Sequence, residues 1–211
     1  MKYCIKFLLY LSALAGFSIS QAGVYEDFFK AVELDLPRSV SQILERGFDP
    51  NSPNNKGQVG LYLALRDDSP QVAAVLLASP RLKVDAANLA GETPLMMAAL
   101  RGNLEWTQRL IDRGAQVNRD GWTPLHYAAS GPEPKVVSLL LDRGALIDAL
   151  APNKSTALMM AAGYGALDST PLLLMRGANP RLRNDAGLNA ADFARTADRE
   201  KLAERLDALS K

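Results

Sequence analysis

Gly121–Ser130 reads "GWTPLHYAAS". It places His126, the chain's only histidine, between a Thr-Pro step and two alanines, with Trp122 and Tyr127 nearby. Alone, a histidine close to Thr123 suggests a base beside a hydroxyl nucleophile. The phrase recurs, however, without the histidine. "GQVGLYLAL" starts at Gly57, "GETPLMMAA" at Gly91, "KSTALMMAA" at Lys154 and "GLNAADFA" at Gly187, so the spacings are 34, 30, 33 and 33 residues. A second phrase keeps the same phase: "ILERGFDPN" (43–51), "LIDRGAQVN" (110–118), "LLDRGALID" (140–148) and "LLMRGANPR" (173–181). Projected backward, the period reaches Val24 and makes "VYEDFFKAV" a degenerate first copy. Such a period marks units that bury their apolar faces only against one another.

Each piece of the repeat has a local physical reading. Pro94 and Pro124 suit the first turn of a helix, where no N–H is needed and φ is already helical. Thr93 and Thr123 precede them as caps. The alanine pairs 98–99, 128–129 and 161–162 form helix readily and let neighbouring helices approach closely. "WTQRLI" (106–111) and "VVSLLL" (136–141) supply a second, apolar-faced helix, with Trp106 in its buried phase. Gly47, Gly114, Gly144 and Gly177 follow, where the helix must stop with positive φ.

The Thr-Pro-Leu-His phrase followed by Leu-Leu-x-x-Gly-Ala resembles the ankyrin repeat. The resemblance covers about residues 23–211. It implies an all-α solenoid of about six helix-turn-helix units with short β-hairpin fingers, starting near 24, 57, 91, 121, 154 and 187. The last unit serves as a C-terminal cap. It also implies that His126 is structural, its ring holding backbone groups of neighbouring turns. Tyr62, Met96 and Met159 occupy the matching positions.

Binding in this family uses finger tips and the exposed residues of the first helices. Carried across by phase, these include Arg66, Leu89, Glu92, Arg101, Arg119, Trp122, Asn153 and Tyr164. Trp, Tyr and Arg dominate binding energy at interfaces, so a partner-binding patch is expected around Arg101, Arg119, Trp122, Asn153 and Tyr164, with Arg66 beyond it. The competing reading folds Trp122 against its own finger.

Two repeats depart from the pattern. From Gly114 to Gly121 is seven positions, against ten in three other copies, so the finger "NRDG" is expected to be blunt and to leave a notch beside Trp122. Neutral loop drift accounts for the deletion equally well. In "GALDSTPLLLMRGA", Pro171 falls where the second helix should already run. A late start is expected, with Ser169 or Thr170 as cap, Pro171 in the first turn, and a longer loop over 163–169. In the terminal piece, Leu202, Leu206 and Leu209 form a stripe expected to pack inward, with Arg199, Glu200, Arg205 and Asp207 facing water. Phe28 and Phe29 either begin the core or face a membrane.

Residues 1–22 read differently. "MKYCIK" is basic, "FLLYLSALAGFSI" is apolar, and Ser20 and Ala22 are small residues at a cut site, as in a secretory signal peptide. The run is short for a membrane span, which needs about 20 residues; the alternative is a retained inner-membrane anchor. Taking Lys2 and Lys6 from the 24 basic residues leaves 22 against 23 acidic ones, a formal charge of −1. That balance gives no electrostatic footprint for nucleic acid. Cys4, the sole cysteine, departs with the signal, so stability must come from packing without disulfides.

No metal-ligand spacing, phosphate loop or nucleophile elbow occurs, so no catalytic residue, metal or cofactor is expected. The resulting expectation is a non-catalytic periplasmic module, monomeric alone, that binds an exported protein through its concave face. Narrower versions are an immunity or inhibitor protein that neutralises a secreted toxic enzyme, and a stabilising companion of a periplasmic oxidative-stress enzyme. An enzyme is the contrasting class.

Overall fold

Short amphipathic helices of seven to thirteen residues cannot bury their own apolar faces, so they are stable only when stacked. A computed structural model describes residues 21–210 as twelve α-helices arranged in six pairs. The pairs are α1 (Gln21–Glu33) with α2 (Pro37–Glu45), α3 (Gly60–Arg66) with α4 (Pro70–Ala78), and α5 (Pro94–Leu100) with α6 (Leu104–Asp112). They continue as α7 (Pro124–Ser130) with α8 (Pro134–Asp142), α9 (Ala157–Gly163) with α10 (Ser169–Met175), and α11 (Ala190–Thr196) with α12 (Glu200–Ser210). Of residues 1–22, the stretch expected from sequence to be a signal peptide, all but the last two lie outside the described residues. Among the described residues, no helix is long and apolar enough to cross a membrane.

First helices pack on first helices more closely than second helices pack on second helices. The reason is side-chain size: Ala98, Ala99, Ala128, Ala129, Ala161 and Ala162 are fully buried at these contacts. The stack therefore curves with the first helices inside. Trp106 is buried on α6, with the Arg109 guanidinium 4.0 Å above its ring. At the N-terminal end, Phe28 is fully buried and its ring lies 4.5 Å from that of Phe48. Phe28 therefore faces the stack, with Phe29 half-buried and edge-on to it at 5.1 Å. Gly60 stands where Pro94 and Pro124 stand in later repeats, because a Cβ there would meet Phe28 Cζ at 2.8 Å.

Polar ties join the repeats. Side-chain oxygens of Asn51, Asp85, Asn118 and Asp148 accept the backbone N–H of Lys83 (2.7 Å), Gln116 (3.1 Å), Leu146 (2.9 Å) and Asn179 (3.0 Å), each one repeat onward. On the outer side, arginines reach back one repeat. Arg81 donates to the Leu44 and Phe48 carbonyls, Arg113 to those of Leu77 and Ser79, Arg143 to Asp112 and Arg176 to Asp142. Cations at second-helix C-termini also offset the negative end of the helix dipole. Gly114, Gly144 and Gly177 adopt φ of +96°, +84° and +94° where α6, α8 and α10 stop.

The fingers are tight turns rather than extended hairpins. In four of them an N–H…O pair closes the turn, as in Asn54 N to Gln58 O (2.8 Å) with Gly57 N to Asn54 O (2.8 Å). Equivalent pairs close 88–92, 151–155 and 184–188, while none closes 118–122. The three-residue deletion removes the closing residue, and Asn118 is already committed to Leu146. The finger is blunt, as its length requires.

Lys154 occupies the left-handed turn position with φ +60°, where Gly57, Gly91, Gly121 and Gly187 stand in the sister fingers. A side chain strains that conformation, and the exposed Lys154–Asp185 pair (2.8 Å) offsets little of the strain. Lys154→Gly is expected to raise the Tm by about 2 °C. A calorimetric scan showing a lower Tm would assign the ion pair the larger role.

Repeat five starts its second helix late. α10 runs for seven residues, against nine for α8, and Pro171 is its third residue. The first four N–H groups of a helix have no partner within it, so proline costs nothing there. The cap differs from expectation. Asp168 is the N-cap, without a side-chain cap bond, and Ser169 and Thr170 lie inside the helix. Both are fully buried, and their hydroxyls have no partner.

The terminal cap corrects two expectations. Leu206 and Ala203 are fully buried, but Leu209 is 53% exposed, because one further turn carries it past the edge of α11. Arg199 turns inward and donates to the Ala161 and Ala162 carbonyls at 3.1 and 3.2 Å. Arg199 thus adds a second donor to the Ala161 carbonyl, which already accepts from the Gly165 N–H, and supplies one to the Ala162 carbonyl near the C-terminus of α9.

Candidate protein-binding face

The inner curve is built from the finger ends and the first helices. At its centre, Glu92 leads into α5, Tyr62 projects from α3 and Tyr127 from α7. The Tyr62 hydroxyl donates to Glu92 Oε2 (2.8 Å), and the Tyr127 hydroxyl to Oε1 (2.9 Å). Asn88 Nδ2 adds a third bond to Oε2 at 2.7 Å. One carboxylate thus links three successive repeats. Burial alone would raise the Glu92 carboxyl, but the bonds from Asn88, Tyr62 and Tyr127 outweigh it and hold the group below its ordinary 4.5. Both phenols are pushed well above their ordinary 10.0, by burial first and then by Glu92. They therefore remain neutral donors.

Arg66 lies at the edge of this cluster with its Nε on Asp67 Oδ1 at 2.6 Å. Arg119 reaches back from the blunt finger to the Gly91 carbonyl at 2.9 Å. Beside it opens a cleft of about 430 Å³ lined by Asp85, Thr93, Gln116, Arg119 and Asp120. The notch thus faces the preceding finger and not Trp122, because Arg119 ties the shortened loop backward.

Trp122 is half-buried, edge-on to His126 with ring centroids 5.3 Å apart and to Tyr127 at 6.5 Å. It is neither fully displayed nor fully folded away. Arg101 is exposed at the C-cap of α5. Asn153 is exposed, and its side chain accepts the Ser155 N–H within its own finger at 3.1 Å. Tyr164 is 64% exposed at the end of α9, near Phe193. Among the described residues, no hydrogen bond or ion pair connects Arg101, Trp122, Asn153 and Tyr164. The residues of the expected patch make no direct polar contact with one another, and the most hydrogen-bonded cluster on this face is Tyr62–Glu92–Tyr127. A signal existed for it: Glu92 was legible as a finger-end residue. Its two tyrosines sit at adjacent but different repeat positions, which a phase alignment does not pair.

His126 is buried at the start of α7. Its Nε2 lies 3.0 Å from the Ser155 carbonyl oxygen, which can only accept, so Nε2 carries the proton. Nδ1 then accepts from the Thr123 N–H (3.2 Å) and hydroxyl (2.9 Å). In repeats three and five, Met96 and Met159 sulfurs face the Thr93 and Thr156 N–H at 3.4 and 3.5 Å, while in repeat six Asp192 accepts from Asn189 at 3.0 Å. One position closes a capping box in four repeats with three chemistries. Burial lowers the His126 pKa from its ordinary 6.5, against the opposing pull of the backbone carbonyls. Thr123 caps the helix and is occupied by the ring, so it has no nucleophile's environment. No group of three metal-ligating side chains is present among the described residues.

A family model described as ankyrin repeats matches three times, at residues 28–120, 78–149 and 110–184. The chain belongs to the ankyrin-repeat family. It is 31% identical over 178 residues to the B-cell lymphoma 3 protein homolog of Mus musculus, covering 80% of this chain and 40% of the relative. The tyrosine-protein kinase Shark of Drosophila melanogaster shares 28% identity over 185 residues, 85% of this chain and 20% of the kinase. The human ankyrin repeat and KH domain-containing protein 1 is 39% identical over 100 residues, 45% of this chain and 4% of that protein. The chain thus spans well under half the length of these relatives. What they share with it is the ankyrin stack, a module that generally mediates protein–protein interaction and is generally non-enzymatic.

Proposed function

We propose that this ankyrin chain is a non-catalytic binding module exported to the periplasm, where its concave face holds another exported protein. The observation that carries the binding part is the preorganised inner surface. Tyr62, Glu92 and Tyr127 are locked together across three repeats, with Arg119 and Trp122 beside them. Rigid aromatic and charged groups lose little entropy on binding, and Tyr, Trp and Arg are the common anchors of interfaces. Export is supported by the basic, apolar and small-residue order of residues 1–22, and a chain without cysteine after Cys4 fits a bacterial periplasm better than an animal extracellular fluid.

The test combines localisation with capture. Full-length chain carrying a C-terminal tag is expressed in a bacterial host, released by osmotic shock and weighed by mass spectrometry. The expected product is periplasmic and begins at Gly23. Crosslinked capture from the source periplasm is then compared with a Trp122→Ala, Arg101→Ala double variant. One exported protein is expected to be enriched by the wild type and reduced at least about tenfold by the variant. Full-mass product retained in the cytoplasm sinks the export reading. Capture indifferent to the two substitutions sinks the concave-face reading.

A further inference from the structure

We infer that Glu92 is the seat for an arginine side chain presented by the protein partner. The inference rests on the concave-face reading and gives it a chemistry. The hydrogen bonds around Glu92 are all made by neutral donors: two phenols and an amide. No Lys or Arg side chain among the described residues forms an ion pair with it. The two nearby arginines are committed elsewhere, Arg66 to Asp67 and Arg119 to the Gly91 carbonyl. A half-buried carboxylate thus keeps its full negative charge, held by neutral donors and with no ion-pair partner among the described residues.

The fold does not need that charge. Residues at the same repeat position in the other copies are Gln58, Trp122, Ser155 and Leu188, all uncharged. A glutamine there could still accept from Tyr62 and Asn88 through its one carbonyl oxygen and donate its NH2 to the Tyr127 hydroxyl, so a tie across the three repeats does not require the charge. The charge is therefore surplus to architecture, and it lies on the face left open for a partner.

The remaining valence selects the ligand. Oε2 accepts two bonds and Oε1 one, and a carboxylate has about four acceptor sites. Oε1 thus has one acceptor site without a donor among the described residues, and Tyr127, which fills its other site, is edge-on to the Trp122 ring. A guanidinium can donate to that oxygen while its plane lies against an aromatic ring, which a compact, strongly hydrated ammonium does less well. Charge complementarity and the aromatic flank point to the same group.

The test titrates isotopically labelled full-length protein with two blocked tripeptides, acetyl-Gly-Arg-Gly-amide and its citrulline counterpart, which has nearly the same shape but no charge. The arginine peptide is expected to shift the Tyr62, Glu92 and Tyr127 backbone amide resonances saturably, with a Kd on the order of millimolar. The citrulline peptide is expected to bind at least about tenfold more weakly. Glu92→Gln, with its fold checked by Tm, is expected to remove the difference between the peptides. Equal response to the two peptides, shifts confined to other residues, or an arginine preference that survives in folded Glu92→Gln would each overturn the assignment. The wild-type contrast decides the matter if Glu92→Gln fails to fold. Failure here, with partner capture still dependent on Trp122 and Arg101, would remove the arginine seat and leave the concave face standing.

Discussion

Gly165→Ala is expected to destabilise the stack by about 3 kcal/mol, the upper part of the range for overpacking a filled site, and to split its unfolding into two transitions. A Cβ at this position would lie 1.9 Å from the Ala129 carbonyl oxygen and 3.0 Å from the Ala161 Cα. Both obstacles are backbone, so no side-chain rotation relieves them. The turn itself is anchored on both sides: the Gly165 N–H donates to the Met160 and Ala161 carbonyls, and the Ala166 N–H to the Gly131 carbonyl of the preceding repeat at 3.2 Å. Lifting the turn off α7 therefore breaks an inter-repeat bond and disturbs α10, which already carries two buried, unpartnered hydroxyls. Contacts in a solenoid run between neighbours, so damage to one interface uncouples the units on either side of it. Urea unfolding followed by Trp fluorescence, which reports α6 and α7, and by far-UV dichroism, which reports all helices, should give separate midpoints. One coincident transition at the wild-type midpoint would show that the turn yields without cost.

His126→Ala is expected to cost about 3 kcal/mol, by opening a cavity and leaving the Ser155 carbonyl and the Thr123 N–H without partners. His126→Met should cost about half as much, because methionine serves the same position in repeats three and five but cannot donate to Ser155. The pH dependence separates the ring's chemistry from its bulk. Burial depresses the folded pKa below the ordinary 6.5. Between those two values the unfolded chain holds the extra proton, so stability rises with pH. The contribution is complete above about pH 6.5 and is lost as pH falls toward the depressed value, with a slope of up to about 1.4 kcal/mol per pH unit. Wild-type stability should therefore decline between pH 7.5 and pH 5.5, while His126→Met should be flatter over that range. The lowered Glu92 carboxyl acts only below its ordinary 4.5 and lies outside the window. Parallel profiles for wild type and His126→Met would show that the ring does not titrate there.

The repeat period carried most of the fold. Pro94 and Pro124 open α5 and α7, Gly114, Gly144 and Gly177 end second helices with positive φ, and Trp106 is buried. These features depend on residues within one or two turns of each other, where proline, glycine and apolar spacing act directly. The missing three residues of the 118–122 finger were also legible, since a turn without its closing residue cannot form the bond. Leu209 and Arg199 were misplaced for a common reason. Helical periodicity gives a direction around the axis, not where the neighbouring helix ends or which of its carbonyls stand open.

The candidate site was the less legible part. Arg101, Asn153 and Tyr164 are exposed and Trp122 is half-buried, as phase alone allows, and no hydrogen bond or ion pair joins them. The cluster consists of Tyr62, Glu92 and Tyr127, which lie 30 and 35 residues apart and at three different repeat positions. Local sequence determined the unit, its caps and its period, because those follow from backbone propensities acting within a few residues. Only stacking decided that one carboxylate would meet two phenols, that Arg119 would turn back to Gly91, and that Gly165 would have no room for a methyl group. Distances between side chains of different repeats are set by the curvature of the whole stack, and no single copy of the repeat contains it.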